Sequence, residues 1–166
     1  MGKTNNTDDE KVIISFSSFP FTFRTVKCKD FTNCLVDEKD FIKKFSLIFK
    51  KIVPELESSN IVELIKKDHC NNIENKRDIV TDILKELVKE EFGEGYNFET
   101  FYDNNIGEYQ LYELGIMQGI RLICVKYNNI FKVLFIDYHH LIYPSVKYNQ
   151  VDYSSFKFCP IKGAKE

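Results

Sequence analysis

The chain has 166 residues, 43% of them hydrophobic and 29% charged, with a formal net charge of −2. That is enough chain for one folded domain with a substantial core, and the composition excludes a disordered or fibrous protein. No apolar run approaches the roughly 18 residues of a membrane span, and the five cysteines, odd in number and without a Cys-x-x-Cys pair, argue against a disulfide framework and match no recurring zinc pattern.

The first ten residues, MGKTNNTDDE, are polar and lack the apolar core of a secretory signal. Asn6 stands where a myristoylation signal has Ser or Thr. The sequence therefore predicts a disordered tail over residues 1–10, a single domain over residues 11–166 and a cytoplasmic location. The small net charge hides an asymmetry. Residues 74–118 carry four basic and eleven acidic side chains, whereas residues 119–166 carry seven and three. A basic face for phosphates or an acidic face for a basic partner fits such a distribution.

In chain order, KVIISFSSFPFTFRTVKC opens with a β-branched and aromatic run, then alternates Phe19, Phe21 and Phe23 with Pro20, Thr22 and Arg24. This pattern predicts one or two strands interrupted at Pro20, with the phenylalanines in the core. DEKDFIKKFSLIFKKIVPE follows as an amphipathic helix capped by Asp37 and stopped by Pro54. Lys43, Lys44, Lys50 and Lys51 fall on one side of it, either as a solvated face or as a phosphate track. SSNIVELIKKDHC reads as a shorter helix with Asn60 and Glu63 spaced as a capping box, and His69 as a loop histidine at its end.

NKRDIVTDILKELVKEEF carries an apolar stripe of Ile79, Val80, Ile83, Leu84, Leu87 and Val88 and is the clearest helix of the chain. Asp78, Asp82, Glu86 and Glu90, each four residues apart, line its polar side as a candidate surface for a basic partner. Gly93 and Gly95 end it, and residues 96–107 read as an irregular loop. EYQLYELGI then alternates as a strand.

GIRLICVKYNNIFKVLFIDYHHLIYP holds two apolar runs joined by Asn128-Asn129, the signature of an antiparallel hairpin. Both runs are apolar on both faces, so they are expected to be central strands covered by helices. The resulting fold class is α+β, an antiparallel sheet with a C-terminal β-meander covered by three helices. An uninterrupted two-residue turn would set Val125 opposite Lys132, Ile123 opposite Leu134 and Arg121 opposite Ile136. Alternation would then place Arg121, Lys132, Tyr138 and His140 on one side, with Asp137 and His139 on the other; a one-residue bulge would exchange these groupings.

A guanidinium in a buried strand demands a partner. Asp137 or a helix carboxylate is the structural solution. The functional solution is a site in which Arg121, Lys126, Lys132 and Lys147 hold phosphates while His139 or His140 moves protons and Tyr138 or Tyr143 donates a hydrogen bond, the set needed for transesterification at a ribose 2′-OH. No cofactor or metal is called for.

The order strand, helices, then a three-stranded meander with Arg121 in its middle strand and His140 and Tyr143 after its last resembles the RelE/ParE-type bacterial toxins, ribosome-dependent mRNA endonucleases and their non-catalytic relatives. The likeness covers Gln110 to Tyr143, and the inserted helices exceed the usual size of those toxins. The same segment is similar to a little-characterised family of low-GC bacterial and mobile-element proteins that end in a Gly-Arg strand and an Asp-Pro-x-His-x-x-Tyr-Pro motif. Gly119, Arg121, Phe131, Asp137, His140, Tyr143 and Pro144 fall on that pattern, and Tyr138 replaces its proline. No activity comes with that family. The resemblances imply an RNA-interacting, toxin-like protein, a ribonuclease in the strongest form, using Arg121, His139, His140 and Tyr143, with RNA or the ribosome as partner. The alternative is a non-catalytic inhibitor that offers the acidic stripe to a host protein such as a defence nuclease.

Overall fold

The computed structural model describes residues 9–117, 119–146 and 149–163. Lys147 and all but the last two residues of the expected N-terminal tail lie outside them. The fold is α+β. A five-stranded sheet has the order β1-β7-β6-β5-β4, formed by Ile13–Ser15 (β1), Cys70–Asn72 (β4), Gln110–Leu114 (β5), Arg121–Tyr127 (β6) and Ile130–Asp137 (β7). Lys27–Cys28 (β2) and Phe31–Thr32 (β3) make a separate two-stranded ribbon. The large sheet is mixed rather than purely antiparallel, because β1 runs parallel to β7.

Both faces of the sheet are covered. On one, Leu114, Leu122, Cys124, Phe131, Val133 and Ile136 pack with Ile48, Ile52, Leu56, Ile61 and Leu64. On the other, Leu111, Ile123, Val125, Leu134 and Phe135 pack with Val80, Ile83, Leu84, Leu87 and Val88 and with Phe19, Phe21 and Phe101. Burial on both faces is why the two hairpin strands read as continuous apolar runs. The described residues form more helices than the expected three: Glu38–Leu47 (α1), Val53–Glu57 (α2), Ile61–Leu64 (α3), Arg77–Phe92 (α4), Phe98–Asn105 (α5) and Pro160–Gly163 (α6).

Several expectations are corrected by local chemistry. Pro54 does not stop the first helix. The turns widen to a π-helix over Ile48–Ile52, where the Val53 N–H reaches back five residues to the Ile48 carbonyl, and Pro54 then sits at the start of α2 where no N–H is required. Phe19, Phe21 and Phe23 lie in a series of turns rather than a strand. Phe19 and Phe21 are buried against Phe101, while Thr22 donates to the carbonyls of Phe19 and Val133 at 3.0 and 2.9 Å. The segment read as an irregular loop contains α5, capped by Asn97, whose side chain accepts the Thr100 N–H at 3.0 Å. Beyond the loop histidine His69, residues 70–72 form the edge strand β4. Ile79, placed in the apolar stripe of α4, is 41% exposed. The Asp37 cap and the Asn60/Glu63 capping box form as expected.

The β6–β7 hairpin turns at Asn128-Asn129, with Asn128 at φ 54°. Tyr127 faces Ile130 and Val125 faces Lys132. A bulge between Ile123 and Cys124 then shifts the register, so that Ile123 faces Phe135 and Arg121 faces Asp137. The exchange brings Asp137 to the face of Arg121, and Tyr138 goes to the opposite layer with Ile136.

Asp137 is fully buried, and its carboxyl accepts the N–H groups of His139 at 3.2 Å and Ile142 at 2.9 Å. Burial pushes its pKa up to about 6, against the opposing pull of those N–H groups. Asp137→Ala is expected to cost about 3 kcal/mol in urea unfolding, since buried donors are left without acceptors. Because the folded state holds this proton more tightly than the unfolded chain, its contribution is full below pH 3.8 and is lost as pH rises through 6. The stability margin of the wild type over Asp137→Asn is therefore expected to narrow by roughly 2–3 kcal/mol between pH 4 and pH 7.

Candidate functional site

The turn that Asp137 holds separates the two adjacent histidines. His139 is 3% exposed, bonds through Nε2 to the Cys34 carbonyl at 2.7 Å and stacks on Tyr153 with ring centroids 4.0 Å apart. Burial lowers its pKa. His140 adopts φ 59°, a left-handed conformation seldom taken by a residue with a Cβ, and its ring lines a different place. That place is a cleft of about 740 Å³ shared with His69, Asn71, Glu74, Asn75, Glu113, Arg121 and Tyr143.

Arg121 forms the back of the cleft and is 2% exposed. Its Nη1 donates to the Ile120 carbonyl at 2.9 Å and its Nη2 lies 3.1 Å from Nδ1 of His69. A guanidinium can only donate, so Nδ1 of His69 accepts and the ring proton of neutral His69 resides on Nε2. His69 itself sits at φ 72° in the link between α3 and β4. Room for the guanidinium comes from Gly115, where an added Cβ would lie 2.8 Å from Nη1 and 2.9 Å from Cδ of Arg121. Glu113, 4% exposed on the neighbouring strand β5, accepts from Asn71 at 3.0 Å through Oε1, while Oε2 accepts no hydrogen bond from the described residues. At the rim Tyr143 donates a short hydrogen bond to Oδ1 of Asn75, and Nζ of Lys76 lies 4.9 Å from the Tyr143 ring centre.

Electrostatics follow from this packing. Burial is the largest influence on His140 and lowers its pKa from 6.5, and the positive charge of Arg121 lowers it further. Burial raises the Glu113 carboxyl above its ordinary value, opposed by the Asn71 hydrogen bond and by the charge of Arg121. The cleft thus pairs a fixed cation with a neutral imidazole and a carboxyl that gives up its proton reluctantly. Chemically, such a set is able to bind one anionic group and move one proton.

Of the residues singled out from sequence, Arg121, His140 and Tyr143 meet in this cleft, and His139 does not. Lys126 and Lys132 lie towards the hairpin turn, Lys126 five residues along β6 from Arg121 and Lys132 opposite Val125, four residues along, so both are roughly 14–17 Å away. Nζ of Lys132 instead lies 5.3 Å from the Tyr127 ring centre. Lys43, Lys44, Lys50 and Lys51 belong to the helical layer on the other face of the sheet, where Lys44 pairs with Asp40 at 3.0 Å. In the acidic stripe Asp82 pairs with Lys29 at 2.6 Å and Glu90 with Lys162 at 3.5 Å, so two of its four carboxylates meet cations of the same chain; Asp78 is exposed and Glu86 half-buried. His69, Glu113 and Asn75 were not read as site residues. The signal for His69 is visible only after folding, because β5 separates its edge strand from β6.

A family model described as "Uncharacterised protein UU032" matches residues 17–166. The protein of Ureaplasma parvum serovar 3 named "Uncharacterized protein UU032" is 28% identical over 162 residues, covering 96% of this chain and 87% of its own length. No solved structure matches. These findings agree with membership of a little-characterised family, and they support neither the likeness to RelE/ParE-type toxins nor the specific C-terminal motif. With the match running through residues 17–166 of the 166, the protein belongs to the UU032 family.

Proposed function

We propose that this is an RNA-interacting, toxin-like protein of bacterial or mobile-element origin, and that its cleft is a ribonuclease site. The observation that carries this reading is the meeting of two histidines, each held in a left-handed backbone conformation, around one buried arginine with a tyrosine hydroxyl at the rim. Strained backbone of this kind, at about 1–3 kcal/mol per residue, is characteristic of sites whose geometry is held by the surrounding structure.

Cleavage of RNA through its own 2′-OH requires a base, a proton donor and a cation for the charge developing on phosphorus. Neutral His140 takes the 2′-OH proton as the O2′–P bond forms. Arg121 and the Nε2–H of His69 bind the non-bridging phosphate oxygens. The Tyr143 hydroxyl gives its proton to the departing 5′-oxygen as the P–O5′ bond breaks, and the His140 imidazolium returns a proton to the tyrosinate. The products are a 2′,3′-cyclic phosphate and a 5′-hydroxyl.

Purified protein incubated with a short single-stranded RNA is expected to release those ends. His140→Ala is expected to lower the rate roughly a hundredfold to ten-thousandfold with the fold intact. His139→Ala, by contrast, should reduce thermal stability while sparing the residual rate per folded molecule, because its ring packs away from the cleft. Absence of cleavage, or equal rates for wild type and His140→Ala, would defeat the assignment.

The pH dependence has a definite sign. His140 works as a base only when neutral, and burial keeps its pKa below 6.5. The rate constant kcat/KM should therefore fall on the acid side with its midpoint below 6.5. An acid limb with its midpoint above 6.5 would assign the base to a different group.

A further inference from the structure

Leu35 and Phe158 form a bridge between the connection that follows β3 and the C-terminal segment. The Leu35 N–H donates to the Phe158 carbonyl at 3.0 Å and the Phe158 N–H to the Leu35 carbonyl at 2.9 Å. In an antiparallel pair that exchanges both bonds, the next residues out face one another at a position without hydrogen bonds, with Cα atoms about 4.5 Å apart. Here those residues are Cys34 and Cys159. A disulfide needs Cα atoms about 4.4–6.8 Å apart, a span that such a facing position provides.

Side-chain direction agrees. Leu35 and Phe158 pack into the layer beneath α1 and α2, so alternation turns both cysteines the other way. There both line a cleft of about 410 Å³ with Thr25, Val26, Lys27 and Lys157. The two sulfurs touch consecutive residues. The Thr25 N–H donates to Sγ of Cys159 at 3.5 Å, and Sγ of Cys34 lies 3.9 Å from the Val26 carbonyl oxygen. Both are free thiols.

We infer that Cys34 and Cys159 are a modification site, a dithiol that hydroperoxides convert to a reversible disulfide. Cys159 is the attacking thiol. Burial raises its pKa, but hydrogen bonds from Thr25 and from the backbone of Lys162 and Ile161 outweigh burial and leave it below 9.0. Its thiolate attacks the hydroperoxide, forming an S–O bond as the O–O bond breaks, and the alcohol (water, from hydrogen peroxide) leaves with the proton that Cys159 had lost. Cys34 then attacks the sulfenic sulfur, the S–S bond forms, the S–O bond breaks, and hydroxide leaves as water with the Cys34 proton. Two thiols and one hydroperoxide thus give one disulfide, one alcohol and one water.

The bridge would tie the C-terminal segment to the residue whose carbonyl anchors His139. Tyr153 of that segment stacks on the His139 ring, whose Nε2 bonds to the Cys34 carbonyl. Oxidation therefore tightens the packing behind the Asp137 turn without entering the larger cleft.

The test uses the full chain, treated with hydrogen peroxide, quenched with an alkylating reagent and digested without reductant. A peptide pair linked through Cys34 and Cys159 is expected, with Cys28, Cys70 and Cys124 alkylated, and reversal by dithiothreitol. Closing so long a loop should raise Tm by roughly 10 °C in the oxidised protein. In Cys34→Ser, Cys159 should be trapped as a sulfenic acid that reacts with dimedone; should serine disturb the buried position, Cys34→Ala gives the same readout. Linkage through any other cysteine pair, oxidation of Cys159 to sulfinic acid in the wild type without a bridge, or an unchanged Tm would overturn the inference.

Discussion

One extra residue in β7 governs what the sheet presents at its end. With uninterrupted pairing from the Asn128-Asn129 turn, Arg121 would face Ile136, and Asp137 would point into the layer beneath α1. Because of the bulge, Leu134 and Phe135 both enter the layer of α4, and every later residue of β7 changes sides. Phe135 meets Phe31 edge-on at 5.7 Å, so the irregularity is filled by aromatic packing rather than left as a void. The pairing of Arg121 with Asp137, and the turn that Asp137 holds, follow from that exchange.

The turn in turn explains how tandem histidines come to serve different ends. On a continuing strand they would point to opposite faces, with His140 beside Tyr138. The Asp137 carboxyl instead gathers the N–H groups of His139 and Ile142, which forces His140 into the left-handed region. A single buried carboxylate that satisfies several backbone donors offsets the strain of one such residue, at about 1–3 kcal/mol. His69 reaches the same cleft by a second strained link, and there the restraint is the sheet edge itself: Cys70 pairs with Leu114 and its thiol donates to the Gly115 carbonyl at 3.4 Å.

How much of this is legible in the chain depends on whether the cause is local. The Asn128-Asn129 hairpin, the α4 stripe and the Asn60/Glu63 capping box are written in neighbouring residues, and each forms. The π-helix turn before Pro54 is not, because the proline rule states a cost without saying how the backbone evades it. Phe19, Phe21 and Phe23 alternate like a strand, but Pro20 and the Thr22 hydroxyl, which takes a carbonyl from β7, favour turns. The bulge depends on which of two apolar residues fits a layer contributed by a distant helix, so the grouping of Arg121 with Asp137 could be read only conditionally. His69 is the furthest from legibility: an isolated loop histidine acquires its meaning from an arginine two strands away.

The cleft's electrostatics set a constraint on any chemistry proposed for it. Arg121 carries a permanent charge in a poorly hydrated place, and Glu113, a carboxyl on which that charge acts, is itself penalised by burial when ionised. Protonation of Glu113 leaves the guanidinium less compensated and favours an anionic guest. Protonation of His140 adds a second positive charge beside Arg121, which is costly, and removes the base. The two titrations therefore pull in opposite senses: a bound phosphodiester gains from a proton on Glu113, while its cleavage needs none on His140. Because burial raises one pKa and lowers the other, the gap between the pH at which Glu113 loses its proton and the pH at which His140 does is narrower than for free side chains. A monoanionic guest would lie beside the charge of Arg121, next to the one imidazole that the Asp137 turn has directed towards it.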